Sequence, residues 1–340
     1  MAVERRNGPI VEVEGLRVEF PGAERPVRAV SDVSFTVPRG GTLGIVGESG
    51  CGKSMTLRAL LGLVPAPGRI VGGTIAVDGQ SFRSVEELST LRGSDVAMIF
   101  QDPGTSLNPV HTIGSQVVEV LTVKLGYSRS SARGKAIELL DHVGIPEPAR
   151  RMSSYAHELS GGMRQRVMIA MALACKPKVL LADEPTTALD VTTQEQILRL
   201  LLRLQGELGM SVILVTHDLG VIEEVCDEVV VMYAGYIVER GSVEEVTSSA
   251  RHPYTKGLLT AMPRIESASL QTAIPGQPPD LGSLPPGCPF APRCPIARPA
   301  CRSVDMETMT STDCACPFAD RCQDQVTAVA GTRMGSDAGS

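Results

Sequence analysis

The residues with the clearest chemistry form one short run. Gly47-Glu48-Ser49-Gly50-Cys51-Gly52-Lys53-Ser54 fits G-x-x-x-x-G-K-[ST] and lies between a strand-like and a helix-like pattern. Glycines let successive backbone N–H groups turn inward around a phosphate, and the helix N-terminus adds its positive dipole end. Gly47, Ser49, Gly50, Cys51, Gly52 and Met55 are therefore expected to line a nucleotide phosphate site. Lys53 reaches the β- and γ-phosphates, and the Ser54 hydroxyl ligates Mg²⁺. Downstream, a hydrophobic run over 179–182 ends in Asp183 and Glu184. A carboxylate at such a strand end can hold Mg²⁺ through water, which suits Asp183, while Glu184 is placed to orient or deprotonate an attacking water. Between the two lies Leu159-Ser160-Gly161-Gly162-Met163-Arg164-Gln165-Arg166. Here an N-cap serine opens a helix whose first residues are glycines, and the exposed N–H groups suit an anion. The chain already carries its own phosphate loop, so a second anion site implies reaching a nucleotide held by another subunit.

These groups need elements to position them. Residues 11–40 alternate apolar and polar (Val11, Val13, Leu16, Val18, Phe20, then Val33, Phe35, Val37), as antiparallel strands with one buried face do. Thr42–Val46 is a continuous apolar run, expected as a central strand buried on both sides. A helix is expected over 54–63, strands over 74–77 and 96–100, and amphipathic helices over about 112–158. A strong helix over 161–175 ends before Pro177. Buried strands follow at 179–182 and 212–215, then a hairpin of 229–233 and 236–238 about Ala234-Gly235.

The 340 residues suggest one large domain plus an appendage, and 43% hydrophobic content suffices for a core. Lys and Arg number 32 against 38 Asp and Glu, a net charge of −6 that argues against a dedicated nucleic-acid binder. Aromatics make up 3% with no Trp, so base-stacking surfaces are not in evidence. No apolar run approaches the roughly 20 residues of a membrane-spanning helix. The N-terminus lacks the apolar stretch of a signal peptide, so a protein made and kept in the cytosol is expected. Internal repeats are not seen. After about 250, prolines and glycines become dense and periodicity fades, so this segment needs a staple. Cys288, Cys294, Cys301, Cys314, Cys316 and Cys322 crowd it; in a reducing compartment that suggests a metal site over disulfides. The spacing lacks the C-x2-C pairs of common zinc ribbons, and four thiolates would suit either zinc or a [4Fe–4S] cluster. From about 326 the tail is small and polar, as disordered termini are.

The stretch LSGGMRQR resembles the signature motif of ATP-binding cassette (ABC) ATPases. It lies between a glutamine loop (Gln101, in IFQDP) and the Asp183-Glu184 strand, in that family's order. A D-loop (Ala188-Leu189-Asp190) and a switch histidine (His217, in VTHD) follow. The resemblance covers about residues 10–245. It implies an α/β, RecA-like P-loop core with an antiparallel β subdomain, a helical subdomain at about 103–172 and a loop-rich, Cys-containing C-terminal extension. Residues 1–250 would form the nucleotide-binding domain, 251–325 the extension and 326–340 the tail. Ser160, Gly161, Gly162, Gln165 and Asp190 would serve the nucleotide interface, Gln101 would join the Mg²⁺ site, and His217 would touch the γ-phosphate. Phe20, ending the second strand upstream of the phosphate loop, is the candidate adenine stacker, with a core role as the alternative.

Arg251-His252-Pro253-Tyr254-Thr255, Ala273-Ile274-Pro275-Gly276 and Gly287-Cys288-Pro289-Phe290…Arg293-Cys294-Pro295 resemble the C-terminal extension of oligopeptide/dipeptide importer ATPases. That resemblance implies a MgATP-hydrolysing subunit, peripheral on the cytoplasmic face of the cell membrane, powering import of peptides or a related small solute. Its partners would be a second ATPase, either a distinct paralogue or a second copy, two membrane permeases and an extracytoplasmic substrate-binding protein. Two ATPase subunits would sandwich two ATP molecules head to tail. The same resemblance implies a structural [4Fe–4S] cluster on Cys288, Cys294, Cys301 and Cys316, with Cys314 as the alternative fourth ligand and zinc as the alternative metal. Two rival readings are a soluble ABC ATPase in DNA repair or translation, and an appendage that senses redox state or metal.

Overall fold

Alternating burial along the first two strands builds one face of a small sheet. The computed structural model describes residues 8–187, 189–262, 273–309 and 312–319. Strands β1 (Val11–Phe20) and β2 (Val27–Val37) pair antiparallel, and β1 also pairs antiparallel with β4 (Arg69–Val77). With β5 (Gln80–Phe82) they form a four-stranded sheet in the order β2-β1-β4-β5. Its inner face, including Leu16, Val18 and Val33, closes a core with Leu57 and Ile45.

The fully buried run β3 (Thr42–Val46) lies in the middle of a second, six-stranded sheet. Its neighbours are β6 (Val96–Ile99), β7 (Val179–Asp183), β8 (Ser211–Thr216), β9 (Glu228–Tyr233) and β10 (Tyr236–Ser242), in the order β10-β9-β3-β8-β7-β6. All pairings are parallel except the β9–β10 hairpin, where Tyr236 faces Tyr233 across the expected Ala234-Gly235 turn. Strands β3, β7 and β8 run parallel and side by side, so the loops after all three emerge at one edge. The loop after β3 holds the phosphate motif, that after β7 holds Glu184, and that after β8 holds His217.

Helix α1 (Lys53–Leu60) follows the glycine turn, ending three residues before the expected limit because Leu61 leaves helical geometry. After α2 (Val85–Ser89), the helices α3 (Pro103–Ser106), α4 (Ile113–Leu125), α5 (Arg129–His142), α6 (Pro148–Arg151) and α7 (Gly161–Leu173) span the stretch between β6 and β7. Leu107, Ile113, Val117, Leu121, Leu140 and Ile169 are buried in the larger of two hydrophobic clusters. Then come α8 (Val191–Leu208), α9 (Leu219–Val225), α10 (Val243–Ser248) and α11 (Pro253–Ala261).

The segment after 250 packs against the main core. Tyr254 on α11 is fully buried and Phe290 nearly so. Both belong to the larger core cluster, with Leu258, Leu259, Ile274, Leu281 and Leu284 packed against it. Tyr254 and Phe290 also make ring contacts with Tyr233 of β9, at centroid distances of 4.6 and 5.2 Å. The appended segment thus anchors on the core of the main fold, and scattered apolar residues suffice for that without periodicity. Cys322 and the tail from 326 lie outside the described residues, as does Ala188. Among the described residues no helix is long and apolar enough to cross a membrane.

Candidate active site

The phosphate loop has the backbone its glycines allow. Gly50 and Gly52 adopt φ of 79° and 109°, and a Cβ at Gly52 would come within 2.5 Å of the Ala29 carbonyl oxygen. Neither position suits a larger residue. The loop closes one wall of a cleft of about 230 Å³ lined by Ala29, Ser49, Gly50, Gly52, Lys53, Ser54, Met55, Gln101 and Glu184. Seven of the positions singled out from the phosphate and acidic motifs therefore meet at one cleft, together with Gln101. Lys53 is buried, and its ammonium donates to the carbonyls of Gly47 (2.6 Å) and Glu48 (2.9 Å). Neutral carbonyls hold the ammonium in place while its charge stays available for a phosphate.

Cys51 lies behind the loop, buried, with its thiol 3.9 Å from Lys53 Nζ. Burial pushes that thiol up, opposed by the lysine, which favours the protonated, weakly nucleophilic form.

The Ser54 hydroxyl donates to Asp183 Oδ1 at 2.7 Å, joining the start of α1 to the end of β7. Asp183 is almost fully buried, and burial raises its pKa, partly offset by Ser54 and increased again by Glu184. Two hard oxygens meeting beside a phosphate cleft, one on a carboxyl destabilised by burial, form a donor set that fits Mg²⁺ shared with phosphates and water.

Glu184 sits just beyond, at φ 45°. Its Oε2 accepts from Gln101 Nε2 (3.0 Å) and Thr187 Oγ1 (2.8 Å), and His217 Nδ1 lies 3.6 Å away. All three contacts fall on Oε2. His217 is exposed, whereas the Glu184 carboxylate is largely buried. Thr187 escaped the sequence reading; its only signal there is a hydroxyl three residues after the acid, the reach of one turn.

The signature segment occupies a different place. Ser160 caps α7, its Oγ accepting from the Met163 N–H at 3.3 Å, and it is exposed. A Cβ at Gly162 would meet Thr193 Cγ2 at 2.6 Å, so the glycine lets α7 pack against α8. Asp190 caps α8 through the N–H and hydroxyl of Thr193 (3.0 and 2.7 Å), which lower its pKa. Neither Ser160 nor Asp190 lines the phosphate cleft of its own chain. One expected residue sits elsewhere. Gln165 is buried on α7, 1% exposed, so its side chain does not face a nucleotide. Phe20 is half-buried with its ring against Gly68, where a Cβ would meet it at 2.5 Å, and packs on the edge of the smaller core cluster.

Residues 30–187 match the ABC transporter family, and residues 238–301 match the oligopeptide/dipeptide transporter C-terminal region. The oligopeptide transport ATP-binding protein OppD of Salmonella typhimurium is 51% identical over 298 residues, covering 87% of this chain and 89% of that protein. The chain belongs to the oligopeptide/dipeptide branch of the ABC ATPases. A dipeptide transport ATP-binding protein, DppD of Escherichia coli, is 48% identical over 87% of this chain and 91% of its own length. Among solved structures, this ATPase superposes on the dimeric post-hydrolysis ATP-binding cassette MJ0796 bound to ADP and Pi. The TM-score is 0.60 at 29% identity, covering 68% of this chain and 98% of that one.

The cysteines depart from the expected metal set. Cys288 and Cys301 lie on facing backbones, with the Cys288 N–H donating to the Cys301 carbonyl at 2.9 Å, and the Cys301 thiol accepts from the Arg298 N–H at 3.4 Å. Among the described residues no group of three or more His, Cys, Asp or Glu is placed to hold a metal ion. The four-thiolate set is therefore not assembled here. Short 3₁₀ turns carry Cys301 and lead into Cys294.

Proposed function

We propose that this ABC ATPase powers the import of peptides or a related small solute by hydrolysing MgATP at the cleft between the phosphate loop and Glu184. The observation that carries the reading is the convergence of Lys53, Ser54, Asp183, Gln101 and Glu184 on one cleft. Residues 1–250 act as the nucleotide-binding domain, with 103–172 as its helical part and 251–325 as an extension. Backbone N–H groups of Ser49, Gly50 and Gly52 to Ser54, with the Lys53 ammonium, bind the phosphates. Ser54 and Asp183, with Gln101 nearby, hold Mg²⁺, which when bound neutralises charge developing on the phosphate oxygens. Gln101 and Thr187 orient the Glu184 carboxylate, which takes a proton from the attacking water through Oε1. His217, on the exposed side of Glu184, contacts the γ-phosphate.

The exposed N-terminus of α7, with Ser160, Gly161 and Gly162, supplies donors to a nucleotide held by a second ATPase subunit, and Asp190 serves the same interface. That partner is a distinct paralogue or a second copy. Two permeases and an extracytoplasmic binding protein complete the importer, and the ATPase rests on the cytoplasmic face of the membrane. The finer reading of the cysteines, an iron–sulfur cluster or zinc, is supported by the adjacency of Cys288 and Cys301 and requires Cys294 and Cys316 to close on that pair. Anaerobically purified protein with about four irons per chain supports the cluster; metal-free protein removes it. The transport reading is tested by affinity capture from solubilised membranes, identifying what co-purifies. Recovery of permeases and a binding protein is expected, and recovery of ribosomes or DNA instead overturns it.

A further inference from the structure

The phosphate motif leaves the identity of residue 48 open, and this chain places a glutamate there. A carboxylate inside an anion-binding loop repels the phosphates that loop must accept, unless it is neutralised and turned away. Both tasks fall to the C-terminal segment. Arg293 lies 245 residues further along and is only 8% exposed. Its guanidinium grips the Glu48 carboxylate with both arms, Nη1 to Oε2 at 2.6 Å and Nη2 to Oε1 at 2.9 Å. The same group donates from Nε to the Pro275 carbonyl at 2.9 Å and lies 5.9 Å from the centre of the Tyr233 ring. Such a fork is geometrically fixed in a way a lysine would not be.

A second contact holds the same residue by its backbone. The Tyr254 hydroxyl, on a fully buried side chain of α11, accepts from the Glu48 N–H at 2.8 Å. Tyr254 is itself wedged between the rings of Tyr233 and Phe290. On its other side, the Glu48 carbonyl accepts from Lys53 Nζ and, at 3.4 Å, from the Cys51 N–H. Glu48 thus joins the extension to the lysine that meets the phosphates. The hydrogen bond to Glu48 raises the pKa of Arg293 further, so the guanidinium stays charged.

We propose that Arg293 and Tyr254 are positioning residues for ATP binding, which hold Glu48 out of the anion site and fix the shape of the phosphate loop. The extension is then a built part of the nucleotide site and not a passive appendage. This rests on the reading of the cleft as an ATP site.

The test measures ATP affinity of the full chain with a fluorescent ATP analogue and Mg²⁺, at low and high salt, on Arg293→Met, Glu48→Gln and the double variant. Arg293→Met frees a carboxylate beside the phosphates, so Kd is expected to rise about tenfold at low salt and by less at high salt. Glu48→Gln removes the repulsion and leaves a cation nearby, so its Kd is expected to stay within twofold of wild type or fall. The double variant is expected to recover most of the loss. A purely structural contact predicts weaker binding in both single variants, with no rescue and no salt dependence, and that pattern overturns the proposal. If Arg293→Met does not fold, Glu48→Gln decides by its sign: weakened binding refutes, and unchanged or tighter binding supports. Tyr254→Phe is expected to raise the KM for ATP severalfold in the assembled transporter with a smaller effect on kcat; an unchanged KM removes Tyr254 from the role. Lys53→Ala is the control that separates the two readings. If it leaves nucleotide affinity unchanged, the cleft is not the ATP site; if it abolishes binding while Arg293→Met does nothing, only the positioning role fails.

Discussion

Replacing Glu184 with Gln tests the assignment of the base with little disturbance of the fold. The Glu184 side chain accepts two hydrogen bonds, from Gln101 and Thr187, and both fall on Oε2. The amide oxygen of Gln can keep both, so the loop geometry and ATP affinity should survive. What disappears is the proton acceptor at Oε1, because an amide nitrogen cannot take a proton from water. Loss of a positioned general base typically costs about 10²–10⁴ in rate. At about 1.4 kcal/mol per tenfold, that adds roughly 3 to 6 kcal/mol to the barrier. The assay is phosphate release from the reconstituted transporter in liposomes, beside ATP binding to the same variant. We expect turnover to fall at least a hundredfold while the ATP Kd changes less than threefold. Turnover within tenfold of wild type, with ATP bound normally, would refute the argument that Glu184 activates the water.

Lys53→Ala should weaken nucleotide binding at least tenfold, measured by equilibrium fluorescence, since it removes the cation at the loop. Ser160→Arg should abolish hydrolysis in the assembled complex and leave ATP binding to the isolated chain intact; robust ATPase activity from a proven monomer would contradict the two-subunit site. Gln101→Ala should uncouple hydrolysis from solute more than it harms ATP binding, read as ATPase activity with and without binding protein and solute. Stability should depend on pH through His252, whose imidazole is buried and whose pKa burial lowers to about 3. The unfolded chain then binds the extra proton below about pH 6.5, so stability falls as pH drops through that window towards 3, by up to about 1.4 kcal/mol per pH unit. His252→Asn keeps an acceptor for the Tyr254 N–H without titrating. Its urea midpoint should therefore lose less than wild type between pH 7 and pH 5, the difference amounting to about 2 kcal/mol. Equal losses would place the acid sensitivity elsewhere.

The phosphate loop was legible because its requirements are local. Inward-facing N–H groups need glycines at Gly50 and Gly52, and the helix that follows needs only its own apolar spacing. The strand pattern was legible for a similar reason: burial on two sides makes Thr42–Val46 apolar throughout, and burial on one side makes β1 alternate. The end of β7 is legible as the place where the apolar run stops, because the acids Asp183 and Glu184 close a strand that is buried throughout.

Other features depended on which strands become neighbours. Ser54 and Asp183, 129 residues apart, meet because β8 alone separates β3 from β7, and no local pattern encodes that order. Gln165 lies five residues after the exposed Ser160, yet α7 turns it inward, since a polar side chain carries no signal of the face on which its helix packs. The contact of the Phe20 ring with Gly68, 48 residues on, is likewise absent from any local pattern. The Pro-rich end was read as coreless because it lacks periodicity. Its Tyr254 and Phe290 needed only a ready-made apolar surface beside Tyr233, and that surface exists once β9 has joined the sheet. Arg293 and Glu48 are the clearest case. Separately they are ordinary charged residues, and only the tertiary structure, by burying one beside the other at the mouth of the phosphate loop, gives the pair a meaning.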